Sequence, residues 1–334
     1  MSGREKVYAV ANMFGVSRVM RYVRRRGILI LMYHGVVEDE APFRRWTHLS
    51  ESKFAWQMQW LRGRYQILPL QRVIAAMRDG TSLPDNTAVV TFDDGLRNNY
   101  SRAFPILREL GIPATVFLST AFMDTDEVAT SSRIFLAFRS TTEQRVDLSD
   151  LGLGALAFET TAQRDAMGDR VRLHAKQLPI EDCRALVATL EARLKVDPAC
   201  YPDFADEFRM MTWGQALEMQ RSGLIEFGAH GAHHEILSRL PENRMRSEIA
   251  DSCDDVRRRL GVADVAFAYP NGLRQDFSPA AKVALKDAAA ICGLSTIPGL
   301  CTVRDDVFEL KRVGVGDDVG RNRFAVMCWG LEAR

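Results

Sequence analysis

Residues 88–95 read AVVTFDDG, a short apolar run followed by two adjacent carboxylates and a glycine. The run from Ala88 to Phe92 predicts a buried β-strand, and the glycine permits a tight turn after it. Because side chains alternate along a strand, Asp93 and Asp94 are expected to point to opposite sides. One carboxylate can then bind a metal ion while the other acts on a bound water. The alternative interpretation is a simple Asp-Gly turn.

Similar apolar runs alternate with helical patterns on both sides of this stretch. The predicted strands are residues 28–36, 66–70, 88–92, 114–118, 224–228, 265–269 and 308–315. The predicted helices between them are residues 52–61, 71–77, 98–110, 241–260 and 279–285. Strands that alternate with crossover helices predict a parallel sheet, either open or closed into a barrel. In such folds ligands bind at the carboxyl ends of the strands.

Residues 123–210 interrupt this alternation. Their pattern is mostly helical, most clearly in residues 181–194, with a short apolar segment at residues 151–158. Because they lie between two predicted strands, we expect an insertion folded over one side of the sheet. It would form a lid, a substrate-binding cap or a longer crossover.

Composition and charge exclude several classes of protein. The 334 residues include 44 basic and 43 acidic side chains, a formal net charge of +1, which does not indicate a nucleic-acid partner. The longest apolar run near the start, residues 28–33, is far shorter than the ~18 residues that a membrane span needs. No signal segment is recognised, so we expect a cytoplasmic protein. The six cysteines contain no C-x-x-C pair and are expected to be reduced, mostly core thiols.

Residues 1–26 form a basic arm with seven basic side chains and one acidic side chain. Residues 7–14 and 19–23 have helical spacing, and Ser17 can cap the second turn. One interpretation is an amphipathic arm in peripheral contact with an anionic membrane surface, close to lipid-linked sugars. The other is a helix packed on the domain of residues 27–334, with a solvated basic edge.

Residues 230–234 read HGAHH and contain half of the chain's six histidines. Neutral imidazoles spaced three or four residues apart can bind one divalent ion, and an aspartate with two histidines is a frequent set of ligands in metal hydrolases. The spacing allows either His230 with His233 or His230 with His234. The alternative interpretation is a polar turn.

Residues 267–272 read FAYPNG, in which proline and glycine predict a turn at a strand end. A backbone N–H exposed there can stabilise an oxyanion, and Asn271 is the candidate donor. Tyr269 and Arg312 are the further candidates for contact with a substrate or an oxyanion. The alternative interpretation of this segment is a plain turn.

In this order the motifs resemble the polysaccharide deacetylase family, the carbohydrate esterases with a NodB-homology domain. The matching segments are residues 31–36, 91–95, 111–117, 211–213, 230–234, 267–272 and 310–315. The resemblance implies an α/β fold, a distorted (β/α) barrel of about seven parallel strands. Here it would carry a largely helical insertion at about residues 123–210.

The resemblance also implies a site and a reaction, the hydrolysis of an N-acetyl group on an amino sugar or glycan intermediate. A divalent ion would be held by Asp94, His230 and His234, while Asp93 acts as general base and His233 is not a ligand. Zinc suits these ligands best, with cobalt, nickel and manganese as alternatives.

Three departures from the family pattern stand out. Gly231 replaces the usual hydroxyl residue after the first histidine of its motif. Ala268 stands where many members have an arginine that pairs with the catalytic aspartate, a role for which Arg274 or Arg312 is the candidate here. Finally, the late Leu-x-His general acid is absent.

His34 is therefore the candidate for the acid or for a substrate contact, and the alternative for it is a buried or loop-anchoring histidine. His48 and His174 are expected at the surface. Besides the deacetylase, two further hypotheses remain: a catalytically inactive carbohydrate-binding descendant, and an amide hydrolase with a non-sugar substrate.

Overall fold

The computed structural model describes residues 16–42, 45–201 and 206–330. The strands in this part of the chain are β1 Leu29–Tyr33, β2 Gly35–Val37, β3 His48–Ser50, β4 Gln66–Ile67, β5 Thr87–Phe92, β6 Ala114–Leu118, β7 Arg145–Leu148, β8 Gly154–Ala157, β9 Ile225–Ala229, β10 Phe267–Ala268, β11 Gly293–Pro298 and β12 Leu310–Gly314. The α-helices are α1 Val16–Val23, α2 Glu51–Arg62, α3 Leu70–Asp79, α4 Phe104–Leu110, α5 Thr130–Ser140, α6 Thr161–Ala175, α7 Ile180–Arg193, α8 Trp213–Arg221, α9 Glu242–Leu260, α10 Pro279–Asp287 and α11 Arg321–Cys328.

Seven strands form a closed parallel barrel in the order β1, β12, β11, β10, β9, β6 and β5. The pairing of β1 with β5 closes the ring over five residues, from Leu29 opposite Ala88 to Tyr33 opposite Phe92. Helices cover its outer face, as the strand–helix alternation requires. The predicted barrel of about seven parallel strands is therefore confirmed.

The membership of the ring differs from the sequence prediction in two places. Residues 66–70 contribute only the short β4, which pairs with the start of β5 beside the ring, and α3 already begins at Leu70. The missing ring strand is β11, which was not predicted. Its sequence, GLSTIP, is half polar or glycine and ends in proline, so it lacks the apolar run by which the other strands were recognised.

The alternation of side chains along the strands divides the barrel core into two layers. Ile30, Val89 and Leu294 belong to one buried cluster, whereas Leu31 and Val90 belong to another. Successive strand residues point to opposite faces, so the first cluster fills the barrel interior and the second packs under the helices. The interior is therefore a packed core, with Asp93 and Arg312 near its carboxyl end and the hydrogen-bonded pair Thr115 and Glu226 near its amino-terminal end.

Residues 123–210 fold around a hydrophobic cluster of their own. Helices α5, α6 and α7 pack on the antiparallel hairpin formed by β7 and β8. Phe138 and Phe158 are fully buried there, with ring centroids 5.1 Å apart. The hairpin occupies the segment in which the sequence showed only a short apolar run.

Helix α1 lies at the amino-terminal end of the barrel strands. The backbone carbonyl of Arg25 accepts a hydrogen bond from Asn86, next to the start of β5, while the side chain of Arg24 donates to the carbonyl of Trp329. Met20 packs on residues near the end of α11, and Val19 and Tyr22 are exposed. The predicted helical spacing of residues 7–14 lies outside the described residues.

None of the helices in the described part of the chain is long and apolar enough to cross a membrane. Four of the cysteines lie in the core: Cys253, Cys292, Cys301 and Cys328.

Candidate metal centre

The carboxyl ends of two barrel strands, β5 and β9, bring the predicted metal ligands and the predicted base together. Asp93 and Asp94 follow β5 directly, and the backbone N–H of Asp93 donates to the carbonyl of Tyr33 at 2.9 Å. His230 follows β9, and its N–H donates to the carbonyl of Leu118 at 2.8 Å. The ladder hydrogen bonds thus continue past the strand ends and fix the backbone that carries these side chains.

Asp94, His230 and His234 each direct one ligand-type atom to the same point, all within 4.8 Å of one another. The Oδ1 atom of Asp94 lies 3.2 Å from Nε2 of His234 and 3.6 Å from Nε2 of His230. This oxygen is buried and makes no hydrogen bond within the described residues. A buried carboxylate oxygen between two imidazole nitrogens, without hydrogen-bond geometry to either, fits a cation shared by all three.

A second contact fixes which nitrogen of His230 faces this point. Its Nδ1 atom lies 2.7 Å from the carbonyl oxygen of Ala268. A carbonyl only accepts, so Nδ1 carries the hydrogen and Nε2 presents its lone pair to Asp94. Burial also lowers the pKa of His230 to about 4, which keeps the ring neutral near pH 7. Neutral imidazole is the form that binds metal.

The ionisation of Asp94 also suits a metal ligand. Burial raises the pKa of this carboxyl, but close contact with the His234 ring outweighs burial and holds the pKa well below its usual range. For His234, burial lowers the pKa and the contact with Asp94 raises it, with a net rise. Opposite charge at short distance accounts for both directions.

Backbone strain is concentrated at the same place. Seven described residues other than glycine have positive φ, and three of them are Asp94 at 74°, His234 at 57° and Asn271 at 58°. Left-handed backbone costs a non-glycine residue free energy and persists where the surroundings enforce it, most often at functional sites.

Asp93 points to the other side, into the barrel, where Arg312 holds it. The guanidinium donates to both carboxylate oxygens at 2.7 Å, and both side chains are buried. Burial raises the pKa of Asp93, but the charge and hydrogen bonds of Arg312, together with the charges of His230 and His34, give a net lowering, so the carboxyl stays ionised. Arg312 also donates to the carbonyl of Ser295, at 2.8 Å.

This placement corrects one prediction and decides between two others. Arg312 is fully buried and its fork is committed to Asp93, so it does not reach a substrate; it positions the carboxylate. Arg274, the other candidate for that role, is exposed and pairs with Glu309. The guanidinium absent at Ala268 is therefore supplied from β12.

His233 turns away from the other two histidines. Its ring is about half exposed, and Nδ1 lies 2.5 Å from Oε1 of the buried Glu248. The other oxygen of Glu248 accepts the backbone N–H of His233 at 2.9 Å. Gly231, at φ 75°, lies beside the same carboxylate: a Cβ there would come within 3.3 Å of Glu248 Oε2. Glu248 thus holds the loop in which the hydroxyl residue is missing.

Of the two candidates for substrate contact in the FAYPNG turn, only one lies at the site. Asn271 lies at the site, and its backbone carbonyl accepts a hydrogen bond from the Thr296 hydroxyl at 2.6 Å. The side chain of Tyr269 is fully buried, stacks on Phe277 and donates its hydroxyl to the carbonyl of Phe308. Tyr269 is therefore a core residue, and its side chain does not face a substrate.

His34 lies at the end of β1, between that strand and β2. Its charge lowers the pKa of both Asp93 and Asp94, so it lies within electrostatic reach of the site. Its Nδ1 atom is buried without a hydrogen-bond partner in the described structure. His48, predicted at the surface, is instead buried in β3 with its ring 4.6 Å from that of Phe208.

Two cations at this end of the barrel were missed by sequence reasoning. Lys176, at the end of α6 in the insertion, donates a hydrogen bond to Oδ1 of Asn271. Arg45 comes from the loop before β3, and the charge of Asp94 acts on both cations. Neither residue belongs to a motif, and only the tertiary fold places them at the site.

A parallel barrel with an aspartate–histidine–histidine cluster and a buried ionised aspartate at its carboxyl end is the architecture of a barrel hydrolase, with a group of side chains that could hold a metal ion. The polysaccharide deacetylase family model matches residues 80–150 and 166–288. The chain belongs to the polysaccharide deacetylase family.

Known proteins agree with this assignment. A stretch of 100 residues is 36% identical to the poly-beta-1,6-N-acetyl-D-glucosamine N-deacetylase of Escherichia coli K12, covering 30% of this chain but only 15% of that relative. The deacetylase PplD of Streptococcus pyogenes superposes over 90% of this chain and 98% of its own, with 17% identity and a TM-score of 0.58. IcaB from Ammonifex degensii superposes over 92% and 98%, with 19% identity and a TM-score of 0.58. At these identities the two structures show the fold.

Proposed function

We propose that this chain hydrolyses the N-acetyl group of an amino sugar, within a glycan or a glycan precursor, with a divalent metal ion held by Asp94, His230 and His234. The observation that carries the proposal is the convergence of these three ligand atoms beside the ionised Asp93. Zinc is the first choice for one carboxylate and two neutral imidazoles.

The reaction adds water to the acetyl carbonyl carbon, breaks the C–N bond and releases acetate and a free amine. The bound metal ion supplies Lewis acidity for the carbonyl and for a water molecule. Asp93 accepts the proton of the attacking water, and Arg312 keeps its carboxylate ionised and aimed. The backbone N–H of Asn271 donates to the developing oxyanion.

Cleavage of an amide also requires a proton for the leaving amine. His34 supplies it in this proposal, because it lies at the end of β1 within electrostatic reach of both aspartates and has a free Nδ1 atom in the described structure. His34 would then take the place of the late histidine of the family pattern.

The hypothesis of an inactive descendant loses one of its two supports. It rested on the absent acid and the absent arginine, and Arg312 now pairs with Asp93 from β12. A binding module has no evident need for a buried base held by two hydrogen bonds together with a convergent set of metal ligands.

We further propose a cytoplasmic protein whose N-terminal arm makes peripheral contact with anionic membrane. Val19 and Tyr22 on α1 are exposed next to a basic segment, as in interfacial helices. Helix α1 lies at the amino-terminal end of the strands, opposite the site. Contact through α1 would therefore anchor the protein with its site facing away from that membrane.

Metal stoichiometry and acetate release test the proposed function. Zinc-equilibrated, dialysed wild-type protein should retain about one zinc per chain and release acetate from N-acetylated sugars. His230→Ala should lose both zinc and activity, whereas Asp93→Asn should keep zinc and lose about 100-fold or more in turnover. His233→Ala is the matched control and should keep zinc. Full activity in Asp93→Asn, or zinc retained in His230→Ala but lost in His233→Ala, would contradict the proposal.

A further inference from the structure

Lys176 and Arg45 bring two positive charges to the site from separate parts of the chain. Lys176 ends α6 in the insertion, and Arg45 lies in the loop between β2 and β3. Both side chains are half-buried, and neither forms an ion pair with any described carboxylate. Their neighbour Arg172 differs, because it pairs with Asp169 at 3.0 Å.

The surroundings neutralise these cations only in part. Burial lowers the pKa of Lys176 to about 8 and that of Arg45 to about 10, and the charge of Arg172 lowers both further. Asp276 attracts Lys176, and Asp169 and Asp165 attract Arg45, but the last two carboxylates form their ion pairs with Arg172 and Arg139. Asp94 attracts both cations, and its charge is required for the metal ion in the proposed function. Charges kept out of water without a partner are costly, so two of them side by side indicate a site for an anion that comes from outside the chain.

The hydrogen bond to Asn271 shows where this anion would lie. The Lys176 ammonium contacts the Asn271 side chain, and the backbone N–H of Asn271 is the proposed oxyanion donor. An anionic group held by Lys176 would therefore lie close to the acetamido group under attack. The guanidinium of Arg45 donates from Nη1 to the carbonyl of Ser131 at 3.3 Å and lies 5.4 Å from the centre of the Phe135 ring, which hold it against α5. Its remaining N–H groups suit phosphate or carboxylate oxygens.

We propose that Lys176 and Arg45 bind an anionic substituent of the substrate, so that the enzyme prefers N-acetylated sugars that carry a phosphate or a carboxylate. This rests on the proposed function, which it deepens by naming the substrate class. A neutral glycan would leave both cations uncompensated next to the metal centre.

Acetate release from neutral and anionic sugars tests this inference. N-acetylglucosamine, N-acetylglucosamine 1-phosphate and a disaccharide of N-acetylglucosamine and glucuronic acid are compared, the last two separating phosphate from carboxylate. We expect kcat/KM to be about 10-fold or more higher for one anionic sugar than for the neutral one, as charge-assisted hydrogen bonds provide. Lys176→Met and Arg45→Met should each remove most of this advantage, mainly through KM, and should lower kcat/KM for the neutral sugar much less than for the anionic one. Zinc content should persist in both variants.

Lys195→Met is the matched control, since it removes an insertion lysine that pairs with Glu143 instead of facing the site. It should leave the preference unchanged. Equal kcat/KM for neutral and anionic sugars would overturn the inference. An equal loss on all sugars in Lys176→Met would overturn it too, because Lys176 would then only hold Asn271 in place.

A binding experiment separates failure of this inference from failure of the proposed function. Glucose 1-phosphate and glucose lack an acetyl group, so calorimetric titration of the zinc-loaded protein measures anion recognition without turnover. Tighter binding of glucose 1-phosphate that weakens about 10-fold in Lys176→Met supports the anion site even if no sugar is deacetylated. If glucose 1-phosphate binds equally well to wild type, Lys176→Met and Arg45→Met, the anion site is contradicted, even if all the N-acetylated sugars are deacetylated.

Discussion

The barrel and the insertion of residues 123–210 contribute to the same site in different ways. The barrel places Asp93, Asp94 and His230 at the ends of β5 and β9, which flank β6 in the ring, and the ladder hydrogen bonds fix their backbone there. The insertion contributes Lys176 from a helix end, through a fold with its own hydrophobic cluster. The comparison suggests that the chemical step depends on the barrel and the choice of substrate on the insertion.

Removing the charge that holds Asp93 should give the largest effect, inside the barrel. In Arg312→Met the buried carboxylate of Asp93 loses both of its 2.7 Å partners. Breaking a buried pair from one side costs about 3–5 kcal/mol of unfolding free energy. Turnover should fall about 100-fold or more because the base is no longer aimed. Urea unfolding and acetate release measure the two effects, and zinc content should persist.

A double variant shows whether the loss comes from the stranded charge. Asp93→Asn combined with Arg312→Met should be less destabilised than Arg312→Met alone, since no uncompensated carboxylate remains. Arg312→Lys should fall between wild type and Arg312→Met, because an ammonium keeps the charge without the fork. If Arg312→Met has the same urea midpoint of unfolding as wild type, the ion pair with Arg312 is not what stabilises the buried Asp93 carboxylate.

A substitution that creates a cavity in the insertion should affect the substrate preference without affecting zinc binding. Phe138→Ala removes a fully buried ring that packs on Phe158, a change that typically costs about 3–5 kcal/mol. Hydrogen exchange should speed up in α6 and α7, and the preference for anionic sugars should weaken because Lys176 loses its support. Zinc content should remain near the wild-type value.

Phe54→Ala is the corresponding cavity in the barrel region, since Phe54 is fully buried against Tyr33 and Phe92. It should destabilise β1 and β5 together and lower zinc retention. If Phe138→Ala loses zinc as readily as Phe54→Ala, the insertion and the barrel fold as one unit, and the division of roles does not hold.

The same division explains what the sequence predicts well. The strand β6 was predicted to the residue, and the two aspartates and the histidine cluster were located, because a buried run followed by metal-type side chains is a local signal. The choice of Asp94, His230 and His234 among them came from the family resemblance, and these are the three residues whose ligand atoms converge. Strand β11 was missed because its buried residues include a glycine and a serine, and because its partners β10 and β12 supply the stability that its own sequence lacks.

The roles of Arg312 and Lys176 cannot be predicted from local sequence, because they depend on contacts between distant parts of the chain. An arginine inside an apolar strand indicates only that it has a partner, and that partner, Asp93, lies two strands away around the ring. A lysine at a helix end is normally a solvated cap. Only the packing of α6 over the barrel brings Lys176 to Asn271.

The smallest expected effect is a change of stability on replacing Glu226, a carboxylate inside the barrel whose environment differs from that of Asp94. Asp94 has histidines beside it and its pKa is lowered, whereas Glu226 in β9 is half-buried and burial raises its pKa. Glu226 accepts only neutral hydrogen bonds, from the Gln71 N–H at 3.3 Å and the Thr115 hydroxyl at 3.2 Å. The ionised form of Glu226 is therefore not stabilised by an opposite charge, and its ionisation costs folding free energy.

A carboxyl whose pKa is raised by folding stabilises the fold fully below its unfolded-state pKa, and this contribution is lost as the pH rises through the folded-state pKa. Glu226→Gln keeps an acceptor oxygen and has no charge to bury. Relative to wild type, the Glu226→Gln variant should therefore gain stability as the pH rises from about 4 towards about 8, because only the wild-type protein has to ionise a half-buried carboxyl over this range. Urea unfolding across this range measures the gain, and acetate release should not change. A relative stability that falls with rising pH would mean that Glu226 has a cationic partner in solution, and the contrast with Asp94 would disappear.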